Sequence, residues 1–301
     1  MKKFSRKLLK QVLKMGNDKK TGVILILIAG FFWALETIFV RLSLKNSTPT
    51  ETATIAVMAA SIIALSYIFL TKKKIRLNKP EFYGLLYNGV IGISLAMLLY
   101  YASLSKTSIL NAVLIVHAQP IFIIILAYIF LREKMSKFDW FGGIIILISA
   151  IFVTSRSWDN LISLKFGNIG DLLAVIVTLL WASAAVAAKK YLMKLDSSVI
   201  AFYRFLFGFM PLGIYLLFIN EFSINSAYQI ILGVVIGLGT IFYYEGLKRI
   251  KTAQVGFLEL SSPLYASIFA FFLFGEAVTP LQSLGIALLF IGVYLLSKKE
   301  N

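Results

Sequence analysis

YYASL at residues 100–104 and YYEGL at residues 243–247 open two stretches that align without a gap at a constant offset of 143. Downstream, Pro120, Glu133, Gly142 and Ile148 recur as Pro263, Glu276, Gly285 and Ile291. Upstream, Trp33 and Ala34 recur as Trp181 and Ala182, with Arg41 against Lys189, at an offset of 148. The chain is therefore an internal duplication whose copies differ mainly in loop length.

The residues around these landmarks are apolar over lengths that suit a bilayer. Of the 301 residues 59% are hydrophobic, too many for a water-soluble globule to cover. A helix crossing the hydrocarbon needs about 20 mainly apolar residues. Such stretches lie at 22–44, 51–70, 82–104, 108–131, 138–154, 169–190, 198–219, 228–247, 252–275 and 279–297, which predicts ten spans. The expected organisation is a basic cytoplasmic tail (1–21), a first repeat (22–154), an extracytoplasmic linker (155–167), a second repeat (168–297) and a short cytoplasmic tail (298–301).

Charge tests the count. The net charge of +16 does not form one basic groove, so it does not point to nucleic acid. With the N-terminus inside, 24 of the 30 Lys and Arg fall in the tails and alternate loops on the cytoplasmic side, including Lys72–Lys79 and Lys248–Lys251. Five lie on the other side, and Arg204 lies within the seventh span. This alternation follows the positive-inside rule and places both termini in the cytoplasm of a cell-membrane protein. The apolar run after the basic tail is of full spanning length and reads as the first transmembrane helix rather than a cleaved leader.

Five spans per copy force the second copy to enter from the opposite side. The loop after span two is basic, whereas the loop after span seven carries Glu221 and no cation, as an inverted pair requires. The expected fold is all-α: ten transmembrane helices as two inverted five-helix repeats, an arrangement suited to alternating access.

Order, spacing and duplication of these residues resemble the paired EamA domains of the drug/metabolite transporter superfamily. The pattern runs through Trp33-Ala34 and Trp181-Ala182, then Pro263, Gly275-Glu276, Thr279, Gln282, Gly285 and Gly292, echoed by Pro120, Glu133, Ser136 and Gly142. The resemblance covers about residues 22 to 297 and implies a carrier of small solutes. Family members often have Arg early in the second span of a repeat; Arg204 fills that place in repeat two, while Ala56 stands there in repeat one.

Ionisable groups in hydrocarbon cost about 2.5 to 3.5 kcal/mol on insertion scales, so they face protein or a water-filled cavity. The candidates are Glu36, His117, Arg204, Glu245 and Glu259. Glu36, His117 with Gln119, and Glu259 with Ser262 are expected near the midplane. The repeat equivalents of Glu36, His117 and Glu259 are Ala184, Leu260 and Val116, so these polar groups specialise one cavity. Glu36 and Glu259 suit a cationic or zwitterionic solute, or proton coupling; the alternative is that they satisfy neighbouring helices. His117, the sole histidine, suits a pH-sensitive relay or a bond to Gln119 or a backbone carbonyl. Arg204 is expected to face an anionic group or a structural partner, and Glu245 to form an interfacial pair with Lys248 and Arg249. Trp33, Trp181, Asn88, Tyr243 and Tyr244 could wall an organic solute. Pro120 and Pro263 remove helix hydrogen bonds at corresponding depths and are candidate gating bends.

No metal site, cofactor or P-loop is expected: the chain has no cysteine, one histidine and no GxxxxGK[ST]. The expected function is secondary or facilitative transport of a small organic metabolite, such as an amino acid or related amine, with membrane lipid as the surrounding partner. Rival readings are a lipid or lipid-linked metabolite flippase, an intramembrane hydrolase using Ser94 and His117, and a scaffold. Gly233 and Gly237 at GxxxG spacing permit close helix contact within the chain or between chains, leaving oligomeric state open.

Overall fold

A computed structural model describes residues 2–104, 106–275 and 277–298; side chains of 2–17, 104, 109, 270, 273 and 274 are outside the described set. Glu276 and Lys299, used in the repeat and charge readings, fall outside the described residues.

The described chain is helical throughout, with no strand among the described residues. α1 (Lys2–Ser43), α2 (Pro49–Leu70) and α3 (Lys79–Gly89) come first, and α3 continues through a π-helical segment (Val90–Leu95) into α4 (Ala96–Leu104). α5 (Ile109–Val116), α6 (Gln119–Leu131), α7 (Lys137–Ser155) and the short α8 (Trp158–Ile162) follow. The second half contains α9 (Ile169–Tyr191), α10 (Ser197–Phe218), α11 (Ala227–Leu247), α12 (Thr252–Glu259), α13 (Ser262–Phe274) and α14 (Pro280–Ser297). The basic tail is helical and continuous with the first span.

Local sequence sets where the helices begin. Thr48 with Glu51, Asn78 with Glu81, Ser136 with Asp139, Asn168 with Asp171, Ser226 with Gln229 and Thr279 with Gln282 form reciprocal capping boxes. Each box satisfies two backbone donors that a helix start would otherwise leave open.

Nine helices among the described residues are long and apolar enough to cross a membrane, so the chain is a multi-pass membrane protein. The expected ninth span, 252–275, is not among these nine; it is divided into α12 and α13, of 8 and 13 residues, just as the counted fourth span is divided into α5 and α6. Pro263 has no N–H to continue the ladder, and the chain turns through shorter bonds from Ser261 N to Leu258 O and from Leu264 N to Ser261 O. Pro120 does the same between α5 and α6, with Ala118 N bonded to Ile115 O and Ile121 N to Ala118 O. The expected bends are therefore breaks, with the same bonds at both sites.

Packing also repeats. α1 lies against α11 while α9 lies against α3 and α4; α1 meets α12 and α13 while α9 meets α5 and α6. α2 crosses α10, and α7 crosses α14, each pairing equivalent helices. The α7–α14 crossing depends on glycine: a Cβ on Gly142 would lie 2.8 Å from Gly292 O, and one on Gly285 3.0 Å from Ser149 O. Gly233 lies against Ala56, Ala59 and Ala60 of α2, so its close approach is used inside the chain.

Polar contacts define two faces. On the terminal face, Lys19 donates to Lys298 O at 2.7 Å, Lys73 pairs with Asp196 at 2.8 Å, and Glu133 accepts from Thr252 N at 2.9 Å. On the far face, Ser223 donates to Glu51 at 3.0 Å, Thr107 to Asp171 at 2.6 Å, and Asn111 to Lys165 O at 2.7 Å.

Candidate functional site

The two helix breaks place polar residues in the interior of an apolar bundle. His117 is the residue on which α5 ends, and Glu259 is the last residue of α12. Gln119 and Ser262 are the first residues of α6 and α13, each directly before its proline. Discontinuous helices leave backbone groups free to meet a solute, which continuous helices cannot do.

Aromatic pairs stand in corresponding places. Trp33 and Tyr243 have ring centroids 5.5 Å apart at 57°, and their repeat equivalents Trp181 and Tyr100 are 5.5 Å apart at 54°. The symmetry ends at the indole nitrogen. Trp181 Nε1 donates to Gly92 O at 3.1 Å, a carbonyl in the π-helical segment. A π turn misaligns the helical ladder, freeing a carbonyl for such a bond.

A polar chain links α10, α11 and α3. Arg204 Nη1 donates to the Tyr244 hydroxyl at 2.9 Å, the Tyr244 hydroxyl donates to Asn88 Oδ1 at 3.4 Å, and Asn88 Nδ2 donates to Gly84 O at 3.1 Å. Tyr244 and Asn88 are fully buried. Arg204 Nε is buried without a hydrogen-bond partner. Arg204 lies within electrostatic reach of both Glu36 and Glu259, and no ion pair joins it to either among the described residues. Glu36 in turn acts on Tyr100 and Tyr101, and Glu259 on Tyr243 and Tyr244. Arg204 thus lies within electrostatic reach of Glu36, Glu259, Tyr243 and Tyr244, and Glu36 within reach of Tyr100 and Tyr101.

A cavity of about 290 Å³ lies beside the breaks, toward the far face. His117, Ser262 and Pro263 line it, together with Thr37, Thr154 and Gln282. His117 Nδ1 lies 3.3 Å from Thr154 Oγ1, which corrects the expected bond to Gln119 or a backbone carbonyl: α7 brings a hydroxyl across that the linear sequence does not place near. Trp33, Trp181, Asn88, Tyr244, Arg204, Glu36, Glu259, Gln119 and Pro120 are not among its lining residues.

Several readings change. Ser94 donates to Gly208 O at 2.7 Å, so it and His117 do not form a nucleophile–base pair. Glu245 pairs with Lys248 at 3.0 Å and Arg249 at 2.6 Å and accepts from Ser197 at 2.6 Å, the interfacial role expected of it. Thr37, Thr154, Tyr100 and Tyr101 were not singled out as site residues. The repeat offered a signal for Tyr100 through its match to Tyr243; Thr154 carried none.

Comparison with known proteins agrees with this architecture. A family profile described as the EamA-like transporter family matches residues 20–155 and 168–298. An uncharacterized transporter of Archaeoglobus fulgidus is 23% identical over 94% of this chain and 99% of its own length. An uncharacterized transporter of Methanothermobacter thermautotrophicus is 26% identical over 73% of this chain, which spans 66% of that relative. Mouse solute carrier family 35 member G1 is 25% identical over 86% of this chain and 73% of its own length. A crystal structure 14% identical in sequence covers 92% of this chain and 97% of that one at a TM-score of 0.76, a likeness of fold.

Proposed function

We propose a function that starts from the chain's family: this chain belongs to the EamA-like transporter family. It is a membrane transporter, and we infer that its cargo is a small organic cation or zwitterion, an amino acid or related amine. The carrying observation is the charge arrangement around Arg204. Two interior acidic groups, Glu36 and Glu259, stand within electrostatic reach of one guanidinium. Unbalanced charge away from water is unfavourable, so the site takes up one further positive charge, on a solute or as a proton. Competition between the two for the same carboxylates would couple solute movement to proton movement.

In this reading the chain crosses the membrane ten times as two inverted five-helix repeats, 22–154 and 168–297, joined by 155–167. The equivalent helix pairs and the alternation of loops between two faces support it. So does the segment 252–274, whose two short helices together reach about 32 Å at 1.5 Å per residue, enough for a crossing. The terminal face is cytoplasmic, by the charge of its loops, and the membrane is the plasma membrane. Trp33, Trp181, Tyr244 and Asn88 wall the solute, and Arg204 takes its carboxylate when it has one. His117, Gln119 and Ser262 offer polar contacts at the breaks. Pro120 and Pro263 are the gating positions as the site alternates between faces.

A metabolite-stabilisation screen on purified protein tests this. Amines and amino acids should raise the melting temperature by binding the folded state, and Glu36→Gln or Glu259→Gln should abolish that rise. Flux of the same solute into protein-only vesicles should follow. Stabilisation by anions alone, or scrambling of a labelled lipid without solute flux, would overturn the reading.

A further inference from the structure

Equivalent positions of the two repeats make different contacts at the two faces. On the terminal face α12 packs on α6 and α7. A Cβ on Gly256 would lie 2.7 Å from Ile123 and 3.4 Å from Pro120, and one on Gly143 would lie 2.2 Å from the Phe257 ring. At this junction the Asp139 carboxylate is fully buried. Lys251 pairs with it at 3.1 Å and Lys19 lies 4.0 Å away. Ser136 N donates to it at 2.9 Å, and the Gln254 amide donates to its other oxygen. Three elements, α1, α7 and α12, are thereby held by one side chain.

The offset of 143 gives the far-face counterparts: Val113 for Gly256, Ala266 for Ile123, Pro263 for Pro120, Gln282 for Asp139, Asn111 for Gln254 and Ser108 for Lys251. These do not close on one another. Val113, Pro263, Ala266 and Gln282 are walls of the cavity. Asn111 turns to Lys165 O at 2.7 Å, and Gln282 to Val153 O and Ser267 at 3.3 Å each. The junction that is shut at one face stands apart at the other.

We infer that Asp139 is the latch of a terminal-face gate, and that the chain rests shut on that face and open on the far face because the far-face counterparts of Asp139 and Lys251 are the neutral Gln282 and Ser108. This inference rests on the alternating-access reading above. Opening the terminal face breaks the Lys251 pair and the Gln254 hydrogen bond to the Asp139 carboxylate, charge-assisted contacts stronger than neutral ones. Separating Asn111 from Gln282 exposes only neutral amides that water satisfies. The difference biases a two-state equilibrium toward the far-open state.

The absence of cysteine makes this directly measurable, since single introduced cysteines report access without background. In sealed vesicles, a membrane-impermeant maleimide should label the Val113→Cys reporter rapidly from the far face and the Ile123→Cys reporter slowly from the terminal face. Asp139→Asn should slow the first and speed the second, each about fivefold or more, and Lys251→Met should act in the same direction. Gln282→Asp with Ser108→Lys, which moves the ion pair to the far face, should slow the Val113→Cys reporter without any change at Asp139. Labelling rates unchanged by Lys251→Met and by the transferred pair, in proteins that melt cooperatively, would overturn the latch. Solute flux persisting in those proteins would leave the transport reading standing.

Discussion

Arg204 of α10 and Tyr244 of α11 are joined by a 2.9 Å hydrogen bond, with the guanidinium carbon 5.8 Å from the centre of the Tyr244 ring. Arg204 is thus held by a residue whose hydroxyl continues the chain to Asn88. The repeat places Tyr101 where Tyr244 would be and Ala56 where Arg204 would be, so this link exists in one half only.

Tyr244→Phe removes the acceptor of Arg204 Nη1 beside an Nε that already lacks one. Leaving a buried donor unsatisfied costs about 1–3 kcal/mol, and more when the group is charged. The expected outcome is a lower melting temperature in detergent and weaker binding of any carboxylate-bearing solute, with amines lacking a carboxylate affected less.

Trp181→Phe and Trp33→Phe should differ, although the two residues are repeat equivalents. Both keep an aromatic face against their tyrosine, but only the first loses a bond, from Nε1 to Gly92 O. Trp181→Phe should be less stable than Trp33→Phe by about 0.5–1.5 kcal/mol, the net worth of one buried hydrogen bond. Equal unfolding midpoints in the two variants would show that the π-segment carbonyl gains nothing from the indole.

Gly143→Ala should destabilise by about 1–3 kcal/mol, the usual cost of forcing an added methyl into a packed contact, because its Cβ would meet the Phe257 ring at 2.2 Å. Gly237→Ala should be neutral or stabilising. Its nearest neighbours are Ala60 atoms at 3.6 Å, ordinary contact, and alanine is the better helix former. Thermal melts of the two variants side by side check this.

Acid should loosen one terminal-face tether. Burial pushes the Asp196 carboxyl up, but bonds from Lys73 and Ser198 outweigh it and hold the group below the ordinary aspartate value of 3.8. A carboxyl lowered on folding contributes stability above its unfolded value and loses it as pH falls through the folded one. Asp196→Asn should therefore melt lower than the parent at neutral pH, with the gap closing in strong acid. A gap constant with pH would show that the pair with Lys73 contributes nothing.

Much of the fold was legible because its rules are local or additive. Spans follow from runs of apolar residues, since the bilayer offers nothing to an unpaired polar group. Helix starts follow from capping pairs such as Ser136 with Asp139, which lie within four residues. The breaks at Pro120 and Pro263 were legible as bends because a missing N–H is a property of one residue. Depth along a span is also countable, which is why Glu36, His117 and Glu259 stood out.

The tertiary structure alone decided which way those side chains meet. Helix rotation and tilt bring Thr154 to His117, Gly92 O to Trp181 and Arg204 to Tyr244, across separations of 37, 89 and 40 residues. No periodicity encodes such contacts, because each depends on how two helices pack rather than on where either begins. The same holds for the difference between faces. The duplication shows that Asp139 and Gln282 are counterparts, but only packing shows one sealed by Lys251 and the other lining a cavity. Sequence symmetry is a property of the chain; how each junction packs depends on the side chains that meet there, and the duplication does not keep those alike.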